Sequence, residues 1–149
     1  MRKLPSITFM LIGAFAFLVG CEKKNPDLVY FLVGATSMGY DEAVEGEAAS
    51  FAVGGPGPDE PYGKVTILAD GKEKASFEWG GSSSEVGRMS NPPSTLELKG
   101  KTSQPLYFGV MSLNPTSGEG LLLKKGKIGT GEVLVSLVWD KANQSYESK

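Results

Sequence analysis

Histidine is missing from all 149 residues, and cysteine occurs once, at position 21. The first absence removes the commonest general base at neutral pH, serine-histidine-aspartate triads and histidine-ligated zinc or copper sites. The second removes any disulfide within the chain, so stability must come from an apolar core. Catalytic signatures are lacking too: there is no Gly-x-Ser-x-Gly elbow, no Ser-x-x-Lys pair and no Gly-x-x-x-x-Gly-Lys-Ser/Thr phosphate loop. A basic excess is also absent, since 15 Lys and Arg face 17 Asp and Glu. Nucleic acid therefore has no electrostatic footprint to bind.

The N-terminus is unlike the rest of the chain. Arg2 and Lys3 are followed by an uncharged apolar run from Ile7 to Val19, which ends before Glu22, Lys23 and Lys24. A short positive start and a short apolar segment are the layout of a secretion signal, and the run falls below the ~20 apolar residues that a spanning helix needs. The run closes on Leu18-Val19-Gly20-Cys21. This sequence resembles the lipobox of bacterial lipoproteins, in which the cysteine thiolate takes a diacylglycerol group as a thioether.

The resemblance implies that residues 1–20 are removed and that Cys21 becomes the first residue, carrying diacylglycerol and an N-acyl chain. Each buried acyl CH₂ contributes about 0.8 kcal/mol, so two or more chains hold a protein stably on a membrane. Residues 21–27 then form a lipidated tether, of which the six residues from Glu22 to Asp27 reach at most about 20 Å. In Gram-negative lipoproteins an aspartate after the cysteine favours the inner membrane; here Glu22 stands there, which implies the periplasmic face of the outer membrane. Loss of the 20-residue signal leaves 129 residues, with 13 basic and 17 acidic side chains and a net charge of −4. One domain is expected, over 28–149.

Within that domain, runs rich in Val, Phe, Leu and Tyr recur at Leu28 to Val33, Ala48 to Val53, Lys64 to Ala69, Lys74 to Trp79, Thr95 to Lys99, Leu106 to Ser112, Leu121 to Leu123 and Glu132 to Trp139. Gly, Pro, Ser or Asn punctuates the gaps. Short strands with turn signals between them predict an all-β fold, a two-layer antiparallel β-sandwich of the immunoglobulin-like kind with about seven or eight strands. Alternation from Val65 to Trp79 predicts a hairpin with a three-residue loop, Ala69-Asp70-Gly71, in which Gly71 is left-handed and Val65, Ile67, Ala75, Phe77 and Trp79 share a buried face. Leu28 to Val33 and Val133 to Val138 are apolar on both faces, apart from Ser136, and read as central, covered strands, with Trp139 buried. Gly54 to Pro61 and Gly80 to Ser84 read as loops, and Met38 to Glu47 as a short helix.

Charge is unevenly spread. Asn25 to Gly63 holds seven acids, Asp27, Asp41, Glu42, Glu45, Glu47, Asp59 and Glu60, and no base, whereas Lys99 to Lys127 holds five lysines against Glu119. Solvated loops explain such runs most simply. An acidic patch also suits a cationic partner or calcium, although no EF-hand spacing is present. Tyr40 and Tyr62 neighbour these acids, and Tyr107 and Tyr146 are further aromatic anchors. The candidate binding set is Tyr40, Asp41, Glu42, Glu45, Glu47, Asp59, Glu60 and Tyr62. With no catalytic constellation, the expected function is non-catalytic: capture of a protein partner in the periplasm, as by an immunity protein or a subunit of an envelope complex such as a secretion system. A small-ligand, calcium or glycan binder is the alternative.

Overall fold

The computed structural model describes residues 27–55, 63–78 and 81–149. Among them the chain forms eleven strands and no helix. In order these are β1 Leu28–Gly34, β2 Thr36–Met38, β3 Ala52–Gly54, β4 Val65–Ala69, β5 Lys72–Phe77 and β6 Gly81–Arg88. They continue as β7 Thr95–Thr102, β8 Leu106–Leu113, β9 Gly120–Ile128, β10 Gly131–Asp140 and β11 Ser145–Ser148. Sheet one runs β9-β8-β1-β6, sheet two runs β11-β10-β7-β4-β5, and β2 pairs with β3. Every pairing is antiparallel.

The two sheets meet through period-2 side chains, and the expected sandwich is what the chain forms. Val29, Phe31 and Val33 of β1, with Leu106, Phe108 and Val110 of β8, pack on Val65 and Ile67 of β4, Leu96 and Leu98 of β7, and Val133 and Leu137 of β10. Phe31 and Phe108 lie 5.8 Å apart, tilted by 31°. Tyr146 closes one side of the core, 1% exposed, with its hydroxyl donating to Pro93 O at 2.7 Å and its ring 4.9 Å from that of Trp139. Tyr146 is thus a core residue, and Trp139 is half-buried rather than buried. Trp79 lies outside the described residues.

Several local expectations are corrected. Ala69 pairs with Lys72, so the β4-β5 loop has two residues, and Asp70 (φ 50°) and Gly71 (φ 81°) are both left-handed, as a type I′ turn requires. The hairpin register itself holds, with Val65 opposite Phe77 and Ile67 opposite Ala75. Gly81 to Ser84 belongs to a strand, because backbone pairing with β1 outweighs the weak strand preference of glycine and serine. Met38 ends β2, and Gly39 to Glu47 is turns and irregular chain, since Gly39 (φ 82°) and Gly46 (φ 90°) take positions closed to a right-handed helix. β10 is central, yet its outer face is bare: Leu134 is 70% exposed and Val138 37%. Short β2 and β11 carry no apolar alternation that would announce them.

The connections define two ends. Thr102 to Leu106 and Ile128 to Gly131 link the sheets at one end, where Phe77 ends β5 and Gly81 begins β6. At the other lie the loop from Arg88 to Thr95 and the turns at 70–71, 114–119 and 141–144. Asp27 belongs to this second end, where its carbonyl accepts from Met89 N at 2.8 Å and its carboxylate from Asn114 Nδ2 at 3.0 Å. The chain therefore enters the sandwich at one end, and Gly34, Gly54, Gly63, Lys101 and Tyr107 stand at the opposite, distal end.

Burial holds the Tyr146 phenol neutral above its ordinary 10.0, with the Asp70 charge adding to the effect. Because the folded value is the higher one, this contribution is intact below about pH 10 and is lost as pH rises above it. Urea titrations of Tyr146→Phe should show a loss of about 0.5–1.5 kcal/mol at pH 7, from the missing hydrogen bond. They should also show a shallower fall in stability above pH 10 than the wild-type chain. A parallel fall in both proteins would contradict the buried placement.

Candidate functional site

Apolar residues cover both faces of β1, so sheet one needs a cover beyond sheet two. The segment Gly39 to Phe51 between β2 and β3 supplies it as a flap. Ala43 and Phe51 pack with Leu32, Met111 and Leu122 into a second buried cluster, flanked by Tyr30, Tyr40, Ala49 and Val53. Gly109 lets β8 pass beneath: a Cβ there would lie 2.6 Å from the Phe51 ring.

The flap also pairs with the outer edge of β9. Gly46 N donates to Leu122 O at 2.8 Å, Leu122 N to Glu47 O at 3.0 Å and Ala49 N to Gly120 O at 3.1 Å. Where β9 bulges between Leu122 and Lys124, a side chain takes over: Glu45 Oε2 accepts from Lys125 N at 2.9 Å and lies 4.0 Å from Lys124 Nζ. Lys125 Nζ donates to Tyr40 O at 2.6 Å. An exposed sheet edge is a template for foreign strands, and the flap closes this one.

The acid-rich and lysine-rich stretches are therefore neighbours in space. Glu45 is a structural tie. Asp41, Glu42 and Glu47 are exposed on the flap. Among the described residues no three acid, cysteine or histidine side chains gather closely enough to hold a metal ion. Asp59, Glu60, Tyr62 and Cys21 lie outside the described residues, although the flanking Gly55 and Gly63 are included.

Tyr40 is the centre of an aromatic and cationic cluster at the distal end. Its ring meets Tyr107 edge-on, with centroids 5.2 Å apart at 63°. Lys125 Nζ stands 4.4 Å from the Tyr40 centroid, and Lys127 Nζ 5.3 Å from Tyr40 and 5.7 Å from Tyr107. Burial pushes the Tyr40 phenol up, and the charges of Glu45 and Asp41 push it further. Beside the rings is a cleft of about 290 Å³ lined by Ser37, Tyr40, Asp41, Glu42, Tyr107 and Lys127. The sequence singled out Tyr40, Asp41 and Glu42. It gave no sign of Ser37, which sits in an unannounced three-residue strand.

A second feature at the distal end lies on the outer face of sheet two. Cross-strand register places Lys101 opposite Glu132 and Lys99 opposite both Leu134 and Thr66. With Lys64 and Leu68 these residues line a groove of about 860 Å³. Lys99 lies 3.7 Å from Glu97, in an exposed pair of small energetic weight. Sequence reading missed this groove because it took β10 to be covered on both faces.

No family model matches the chain, and no curated protein or solved structure is significantly similar to it.

The tie at Glu45 yields an expected outcome. Glu45→Ala removes a charge-assisted bond to a backbone donor in an exposed setting, so it should cost about 1 kcal/mol overall. Hydrogen exchange should accelerate selectively at Gly46, Ala49, Leu122 and Lys125. Unchanged exchange there would show that the flap is held without it.

Proposed function

We propose that this chain is a lipid-anchored, non-catalytic binding protein of the bacterial envelope. Cys21 carries the lipid at the periplasmic face of the outer membrane, and the distal end of the sandwich captures a protein partner. The supporting observation is the unequal treatment of the two outer faces. Sheet one is covered by its own flap, whereas sheet two presents Leu134, 70% exposed, in a groove flanked by Lys64, Lys99 and Lys101 against Glu132.

Apolar side chains grouped within a charged rim mark docking surfaces, and Leu68 lines the same groove as Leu134. The charge balance favours a partner that presents carboxylates around an apolar side chain. Entry of the tether at the opposite end directs this surface away from the membrane. An immunity protein that blocks a periplasm-acting toxin and a subunit of an envelope complex, such as a secretion system, both fit this arrangement. A second reading, capture of a small polar ligand, is favoured by the cleft at Tyr40.

Anchor and docking surface are tested on the full chain expressed with its signal. Intact mass of the membrane-extracted protein should show loss of residues 1–20 and added acyl groups, both abolished by Cys21→Ser. Leu134→Glu should reduce capture of partners from periplasmic extract at least about tenfold, equivalent to ~1.4 kcal/mol. The melting temperature should be nearly unchanged, because the site is exposed. A mature mass without acyl groups would overturn the anchor, and unaltered capture the docking surface.

A further inference from the structure

We propose that the cleft between the flap and strands β8 and β9 is a saccharide-binding site, separate from the docking surface on sheet two. The first observation is Ser37, whose Oγ is buried and without a hydrogen-bond partner. Buried polar atoms are nearly always satisfied, and Ser37 lines the cleft, so rotation about its χ1 turns this orphan hydroxyl toward a ligand group. The second is the chemistry of the other walls. Asp41 and Glu42 offer carboxylate acceptors, Lys127 an ammonium donor, and Tyr40 and Tyr107 rings with phenolic tips.

Charge narrows the ligand class. A cation would seek the tyrosine faces and the carboxylates, but Lys125 and Lys127 already stand 4.4 to 5.7 Å from those rings and repel it. An anion would meet Lys127, with Asp41 and Glu42 opposing it on the same walls. A neutral ligand dense in hydroxyl groups avoids both conflicts. Each carboxylate accepts from hydroxyls, the ammonium donates to them, and Ser37 Oγ does either.

Size is compatible: about 290 Å³ lies just below the roughly 300–1,000 Å³ usual for pockets that take drug-sized ligands, which suits a single sugar unit of a longer glycan. The setting is firm as well. Tyr40 is fixed through its carbonyl by Lys125 and through its ring by Tyr107. Tyr40 and Tyr107 are thus positioned before a ligand arrives, which lowers the ordering cost of binding.

The test uses the full detergent-solubilised lipoprotein and follows tyrosine and amide NMR signals. The probes are the N-acetylglucosamine trimer, maltotriose, isolated cell-wall sacculi, spermidine, inorganic phosphate and calcium. One of the neutral saccharides, free or in sacculi, should bind and shift Tyr40 and Tyr107. Binding of a soluble trimer identifies free sugar as sufficient, whereas retention on sacculi alone identifies polymeric glycan. Asp41→Asn and Ser37→Ala, neither of which removes a core contact, should each weaken that binding about tenfold or more, while Leu134→Glu leaves it unchanged. Absence of binding by every saccharide arm would overturn the proposal. So would preference for spermidine, phosphate or calcium, or binding indifferent to both cleft variants.

Discussion

The second face of sheet one governs much of this structure. Leu32, Met111 and Leu122 point away from the main core, and leaving them in water forfeits about 1.5–3 kcal/mol each. The chain answers by folding Gly39 to Phe51 over them. That one response closes the edge of β9, draws Lys125 to the Tyr40 carbonyl, and sets Tyr40 against Tyr107. The cleft beside the rings is a consequence of the cover. Sheet two, whose outer face alternates lysine, glutamate, threonine and leucine, needs no such cover and remains open.

Charge follows the same logic. The acids of the flap and the lysines of β9 are far apart in sequence, and antiparallel packing brings them together. Part of that complementarity is spent within the molecule: Glu45 accepts from the Lys125 backbone N–H close to the β9 bulge. What remains on the surface is divided between Asp41, Glu42 and Glu47 on one side and Lys64, Lys99 and Lys101 on the other. The two binding proposals draw on these separate remainders.

Fold class was legible in the sequence because alternation at Val65 to Phe77 and the unbroken run at Leu28 to Val33 report burial directly. Elements held by backbone pairing were hidden. Ser82 to Ser84 bear no apolar pattern, yet β1 requires a neighbour on that side. The covered outer face of β1 was readable from Leu32, but the same reasoning failed for β10, where Leu134 and Val138 face water. Apolar content alone does not say which layer supplies a cover. In the candidate site, Tyr40, Asp41 and Glu42 were accessible as an aromatic beside acids. Their union with Ser37, Tyr107 and Lys127 depends on long-range register.

The central claim is the asymmetry of the outer faces, and thiol accessibility measures it directly. Leu122→Cys and Leu134→Cys are introduced separately into the full chain, whose own Cys21 is blocked by lipid under the proposed function, and alkylation is timed under native conditions. The account predicts that the thiol from Leu134→Cys reacts about as fast as a free thiol, while that from Leu122→Cys reacts only when the flap or the whole domain opens. Similar rates at the two positions would contradict it.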